Sequence, residues 1–359
     1  MLRVGILTSG GDCQGLNASI RGVAKSLYEE YKDEVEIYGV KDGYKGLIFD
    51  DCKLMKQKDF SGILTIGGTI LGTSRQPFKL MRVVDETSLD KVKEMKATYK
   101  KRKFDCLIIL GGNGTQKTAN LLREEGLNVI HLPKTIDNDV FGTDMTFGFH
   151  SSVEVAANVL DCIHSTATSH GRVFLVEIMG HKVGWLPLYA GIAGGADIIL
   201  LPEIPYDIQI VAKEIKDRSK SGKDFSIIAV AEGAISKKEA SMSKKEYKKY
   251  KADLAYPSVA YQIAKELSAE VENEVKVCVP GHFQRGGSPC AYDRVLCTRL
   301  GTGATKCIKE KNFGVMIGLI NGEIVPVPLE NCAGKLKTVP TDCQEIMSAR
   351  EIGVSFGDK

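Results

Sequence analysis

The chain has 359 residues, 43% of them hydrophobic and 26% charged, with a formal net charge of +3. This is the composition of a soluble globular enzyme, long enough for one or two α/β lobes with large buried cores. So small a net charge argues against a nucleic-acid or membrane partner, and no apolar run reaches membrane-spanning length.

Apolar runs predict strands near residues 2–8, 35–40, 105–110 and 128–132 in the first half. In the second half they predict strands near 172–178, 197–201, 225–230, 274–279 and 314–319. Helical patterns separate them, as in βαβ units with a parallel sheet. The opening run is expected to be a strand rather than a signal peptide. The stretch 236–251, rich in Lys, Glu and Ser, is expected to be a solvated surface helix or excursion, since its lysines alternate with Glu and no supporting motif accompanies it. The ten cysteines form no CxxC pair and no metal-ligand spacing, and several sit in apolar runs. They are expected to be reduced core residues of a cytoplasmic protein.

Three segments carry chemistry. Pro133-Lys134-Thr135-Ile136-Asp137-Asn138-Asp139 follows an apolar strand pattern and sets two carboxylates two residues apart. Ligands bind outside the carboxyl ends of strands in open α/β sheets, so Asp137 and Asp139 are expected at a site. An isolated Asp-x-Asp would be read as a turn, but two glycine turns accompany it. One is Thr8-Ser9-Gly10-Gly11-Asp12, the other Gly111-Gly112-Asn113-Gly114-Thr115. Each has the strand, glycine turn, helix order that turns backbone N–H groups toward phosphate. Neither matches the P-loop consensus nor a GxGxxG dinucleotide fingerprint, which disfavours a nicotinamide enzyme. The three together point to phosphoryl transfer.

These segments, with Gly72-Thr73-Ser74-Arg75, Glu177-Ile178-Met179-Gly180, Ala231-Glu232-Gly233 and Gly281-His282-Phe283-Gln284-Arg285-Gly286-Gly287-Ser288-Pro289, resemble in order the motifs of the phosphofructokinase A family, from residue 2 to about residue 305. The pattern Gly184-Trp185, then Ala193-Gly194-Gly195-Ala196-Asp197, looks most like the bacterial branch that mixes ATP and pyrophosphate users. The resemblance implies an α/β fold of two Rossmann-like lobes with mainly parallel sheets and flanking helices, the active site lying in the cleft between them. Residues 1–148 and about 284–312 would bind the phosphoryl donor. Residues 149–283 with the C-terminal segment 313–359 would bind the sugar phosphate. The implied activity is that of a glycolytic phosphotransferase, moving a phosphoryl group from ATP to fructose 6-phosphate with Mg²⁺. A homodimer or homotetramer is implied too, because residues placed like Arg172 reach a neighbouring subunit's site in that family.

The resemblance also implies roles. Asp137 would be the general base and Asp139 its partner, while Thr135 would contact the transferred phosphoryl group or the acceptor. Gly10, Gly11, Gly112, Gly114 and Thr115 would frame the donor phosphates, braced by Arg75 and Lys134. Arg172, His282 and Arg285 would grip the acceptor's phosphate, since forked and charged donors suit a dianion. Glu232 would accept from a sugar hydroxyl, with Met179 and Gly180 packed against the sugar. A lone histidine is more often a satisfied core residue, which is the reading for His131 and His150.

Three positions depart from the family pattern. Asn113 stands where an acidic residue usually helps hold Mg²⁺; its oxygen can still ligate, but a charge is lost. His181 and Lys276 stand where arginines are usual, and lysine keeps the charge without the bidentate fork. A different sugar phosphate or a polyol therefore stays open as acceptor. So does a weakly active, phosphate-binding regulatory protein of the same fold. Donor choice turns on two residues: Gly114 leaves room for the α-phosphate of a nucleotide, whereas Lys134 would also hold pyrophosphate. Exclusion is the harder constraint, which favours ATP over pyrophosphate.

Overall fold

In the computed structural model, which describes residues 1–84, 89–254 and 256–359, the chain divides into two compact units. The first comprises residues 1–151 and 285–337, the second residues 152–284 and 338–359. The chain therefore leaves the first unit at Ser151 and returns at Arg285, close to the expected crossing. Residues 313–337, expected with the second unit, belong to the first. The reason is strand pairing, described next.

The first unit holds a seven-stranded sheet. Its strands are β1 (Leu2–Thr8), β2 (Val35–Val40), β3 (Cys52–Met55), β4 (Cys106–Gly111), β5 (Val129–Pro133), β10 (Val315–Ile320) and β11 (Glu323–Pro328), in the order β11-β10-β5-β4-β1-β2-β3. β1, β2, β4, β5 and β10 run parallel, while β3 and β11 close the two edges antiparallel. The apolar run 314–319 is too buried to stand alone. It finishes this sheet beside β5, and β11 hairpins back on it, which is why the segment joins the first unit.

Successive residues of a strand face opposite sides. In β4, Cys106, Ile108 and Leu110 enter a core covered by the helices Leu16–Tyr31 and Ala291–Lys309. Leu107 and Ile109 enter a second core on the other face, with Leu122 of the helix Asn113–Glu124 and Met95 of the helix Lys91–Lys101. A sheet buried on both faces needs continuous apolar strands, which is the pattern the sequence shows.

The second unit has a four-stranded parallel sheet of β6 (Val173–Ile178), β7 (Ile198–Leu200), β8 (Ser226–Ala231) and β9 (Val275–Cys278), in the order β7-β8-β6-β9. Val173, Leu175, Ile228 and Val230 pack there against Val211 and Ile215 of the helix Ile208–Lys220 and Ile263 of the helix Val259–Leu267.

The Lys-, Glu- and Ser-rich stretch forms the helices Lys237–Ala240 and Lys244–Asp253, the second with no buried residue. Its serines and glutamates are not incidental. Ser236 with Glu239, and Ser243 with Glu246, close two capping boxes. All ten cysteines are free thiols, six of them buried and Cys162 exposed. No helix among the described residues is long and apolar enough to cross a membrane.

Candidate active site

β1 and β4 are neighbours, yet the helices that follow them cover opposite faces of the sheet. The chain thus turns away in both directions from the gap between their carboxyl ends. In an open α/β sheet this switch point is where ligands bind. Both glycine turns, and the loop after β5, lie at this end.

The turn after β1 is latched on three sides. Ser9 N–H donates to the Leu110 carbonyl at 2.9 Å and Gly10 N–H to the Ser74 carbonyl at 3.1 Å. The Thr73 hydroxyl returns a bond to the Gly10 carbonyl at 2.7 Å, and the Thr8 hydroxyl one to Gly72 at 2.7 Å. Gly10 has φ +87°, a left-handed conformation that costs glycine little. This latching carries Arg75 to the site.

Three cations meet at Gly11. The Lys134 ammonium donates to the Gly11 carbonyl. A methyl group placed on Gly11 would lie 2.8 Å from Nη1 of Arg285 and 3.6 Å from Nη2 of Arg75. Arg285 Nη1 also donates to the Asp12 carbonyl at 3.2 Å, and its buried Nε has no protein partner. Lys134 is itself buried, and burial pulls its ammonium below the usual lysine value; Cys13, Asp137 and Asp12 pull the other way. Burying a cation is costly unless an anion answers it. Cys13 is no candidate nucleophile, because burial pushes its thiol up to about 12.

The second glycine turn supplies backbone donors. Gly112 offers no side-chain cap to the helix Asn113–Glu124, and no acidic residue occupies its first turn. The free N–H groups and positive end of the helix therefore stay available to an anion. Gly111 is required by packing, since a methyl group there would fall 2.3 Å from the Thr115 side chain. Around Gly114 the space is open: nothing lies within 4 Å of a methyl group added to it. The Thr115 hydroxyl is turned inward, to the Ser9 carbonyl at 3.3 Å, and so ties the two glycine turns together.

The loop after β5 completes this arrangement. Thr135 Oγ1 accepts the Asp137 N–H at 3.1 Å, and the Thr135 carbonyl accepts the Thr146 hydroxyl at 2.8 Å. Asn138 between the two aspartates has φ +51° and is buried, its carboxamide bonded to Asp144 and Thr146. Asp139 accepts from the Asn113 amide through both its main-chain oxygen and Oδ2, each at 3.0 Å. Asn113 Oδ1 is left buried with no protein partner. That orphaned oxygen beside Asp139 fits a cation. Among the described residues no cluster of three or more His, Cys, Asp or Glu exists to cage one, so phosphate oxygens and waters would have to fill its shell.

In the second unit the C-terminal end of β6 presents Met179, Gly180 and His181. Met179 N–H donates to Gln284 Oε1 at 3.2 Å. Glu232 Oε1 accepts from Gly180 N–H at 3.2 Å and His181 N–H at 2.5 Å, holding His181 at φ +53°. Glu232 therefore positions backbone with one of its two oxygens. His282 is exposed on the short turn Gly281–Arg285 that also carries Gln284.

Arg172 and Lys276 are not part of this group. Both clamp Glu274, at 2.5 Å each. Arg172 immediately precedes β6 and Met179 immediately follows it, so six strand residues, roughly 20 Å at about 3.3 Å each, separate them. Arg285, expected to grip the acceptor's phosphate, stands beside Gly11 in the first unit. The sequence singled out neither Gln284 nor Asn138, although both lie inside motifs it quoted.

The Phosphofructokinase family model matches residues 3–308. The chain belongs to the phosphofructokinase family. It is 52% identical over 357 residues to the ATP-dependent 6-phosphofructokinase of Spirochaeta thermophila, covering 99% of this chain and 97% of that one. It is 45% identical to a protein of the same name from Propionibacterium freudenreichii, over 99% and 100% of the two chains. Among solved structures, Pichia pastoris phosphofructokinase in the T-state aligns with a TM-score of 0.78 and 31% identity, over 92% of this chain and 35% of that longer one. Chains of this family are phosphotransferases acting on a sugar alcohol group, and they need a divalent metal.

Proposed function

We propose that this family member transfers the γ-phosphoryl group of ATP to fructose 6-phosphate, giving fructose 1,6-bisphosphate. One observation carries the reading. Arg75, Lys134 and Arg285 converge on Gly11 at the switch point, with no ion pair to any of them among the described residues. Phosphoryl transfer asks a protein mainly for positioning and charge stabilisation, and this cluster supplies both beside the Asp137 loop. The names of the relatives support the same donor and acceptor.

In this reading Asp137 takes the proton of the acceptor hydroxyl, and Thr135 fixes its backbone. The first-turn amides after Gly112 and the three cations receive the donor's phosphates. Mg²⁺ would be held through Asn113 Oδ1 and the neighbouring carboxylates and would neutralise charge on the transferring group. Met179, Gly180, Glu232 and His282 serve the sugar phosphate. Arg172 sits at the far end of β6 with Lys276 beside it on β9, and the two would act on the site of a second copy in a homodimer or homotetramer. A cytoplasmic enzyme is in keeping with its free thiols.

Lys134 also suits pyrophosphate, so the deciding experiment is a matrix of ATP, ADP and pyrophosphate against sugar phosphates and polyols. Turnover with pyrophosphate and none with ATP would overturn the donor. Asp137→Asn should lower turnover by about 10²- to 10⁴-fold without unfolding the protein; a folded variant near full activity would remove Asp137 from the mechanism.

A further inference from the structure

Lys337 lies beyond the family match, in the last segment of the first unit. No motif points to it. Its ammonium donates to Asn138 Oδ1 at 2.8 Å, to the Thr143 carbonyl at 2.9 Å and to the Asp144 carbonyl at 2.8 Å. Its main-chain N–H donates to the Asp139 carbonyl at 3.0 Å, and Leu336 forms an antiparallel bridge with Val140.

An ammonium has three donors, and here three acceptors meet it. Two are carbonyls on the far side of the loop, and the third is the side chain that separates Asp137 from Asp139. Asn138 stands in a left-handed conformation, which a non-glycine residue keeps only when its surroundings hold it there. Asn138 Oδ1 accepts from Thr146 N–H at 3.1 Å as well as from Lys337. The turn that sets the directions of Asp137 and Asp139 is thus fastened from outside by one residue about two hundred positions away.

We propose that Lys337 is a positioning residue for phosphoryl transfer, holding the Asp137-Asn138-Asp139 turn in its productive conformation through Asn138. Its ammonium bonds to Asn138, Thr143 and Asp144 rather than to the groups assigned above to phosphate and sugar, so it should govern the chemical step rather than substrate affinity. The inference rests on the catalytic role assigned above to Asp137.

The test compares wild type with K337M, which keeps the stem and removes the donors. With ATP and fructose 6-phosphate, kcat should fall about 10- to 100-fold, the scale of a displaced catalytic group. KM for either substrate should stay within about twofold, because no substrate contact is lost. Amide hydrogen exchange over residues 136–146 should quicken while the strands keep their protection. K337Q, which retains two donors without the charge, should recover part of kcat at unchanged KM. If K337M does not fold, K337Q decides: reduced kcat at wild-type KM supports the role, and wild-type kcat overturns it. A folded K337M with full kcat, or with KM raised and kcat unchanged, also overturns it. If wild type itself does not turn over, the proposed function fails instead, and the exchange measurement still reports on the turn.

Discussion

The carboxamide of Asn113 bridges to Asp139 twice, to its main-chain oxygen and to its carboxylate, both at 3.0 Å. A neutral residue at this place therefore does something a carboxylate cannot: it donates to Asp139 in the absence of metal. Asn113→Asp would replace the donor with a second negative charge facing the first. Its fold should lose about 1–3 kcal/mol in chelator, the cost of a broken charged hydrogen bond, and should recover with Mg²⁺ between the two carboxylates. Thermal melts with and without Mg²⁺ check this. Identical melting of variant and wild type in chelator would mean that Asn113 does not hold Asp139.

Gly114 is open to its surroundings, so a side chain there should not disturb folding. Gly114→Asp sets a carboxylate at the first turn of the donor helix, where it would occupy the positive end and repel a nucleotide's phosphates. ATP-dependent turnover should drop by more than tenfold at unchanged melting temperature, with pyrophosphate use spared or revealed. Unimpaired ATP turnover in this variant would dissociate Gly114 from donor choice.

Arg285 and His282 lie three residues apart, but they should fail differently when removed. Arg285 stands with Arg75 and Lys134 at Gly11, the place the proposed mechanism gives to the transferring phosphoryl group. Arg285→Ala should therefore lower kcat, by roughly tenfold or more for a lost charged contact worth about 1.5–3 kcal/mol. His282→Ala, on the turn shared with Gln284, should chiefly raise KM for fructose 6-phosphate. Steady-state kinetics on the two variants separates these outcomes, and a pure KM effect in Arg285→Ala would return that residue to the acceptor.

His131 sits fully buried in β5, where burial pulls its imidazole down from 6.5 to about 3. The unfolded chain binds a proton near pH 6.5 that the native state refuses until about pH 3. Stability contributed by the neutral ring is thus present above pH 6.5 and is lost as pH falls through that window. One proton sets the limit, about 1.4 kcal/mol per pH unit. His131→Leu, an apolar replacement, should flatten the acid limb of stability measured by urea melts between pH 4 and 7. Parallel acid limbs would show that His131 charges in the native state.

Much of this architecture was legible beforehand. Strands buried on both faces announce themselves as unbroken apolar runs, and β1, β2, β4, β5, β6, β8 and β10 all lie within a residue or so of where such runs predicted them. β3 and β11 were not legible. They are antiparallel edges with exposed positions, β3 is only four residues long, and β11 carries Pro326 and Pro328, which only an edge tolerates. The glycine turns and the Asp137 loop were legible because their chemistry is local: a turn type, a helix start and a spacing of two.

Tertiary structure alone decided which distant residues complete these local pieces. The resemblance put the chain's return to the first unit near residue 284, but nothing in residues 281–289 says that Arg285 would meet Gly11 there. The clamp of Arg172 and Lys276 on Glu274, a strand's length from Met179, follows from the β6–β9 register. Lys337 reads in sequence as one more surface lysine, and only the return of the chain beside residue 140 gives its ammonium three acceptors. Local patterns specify elements and turns through backbone geometry. Arg285 and Lys337 acquire their partners only when loop closure brings together segments that the sequence keeps far apart.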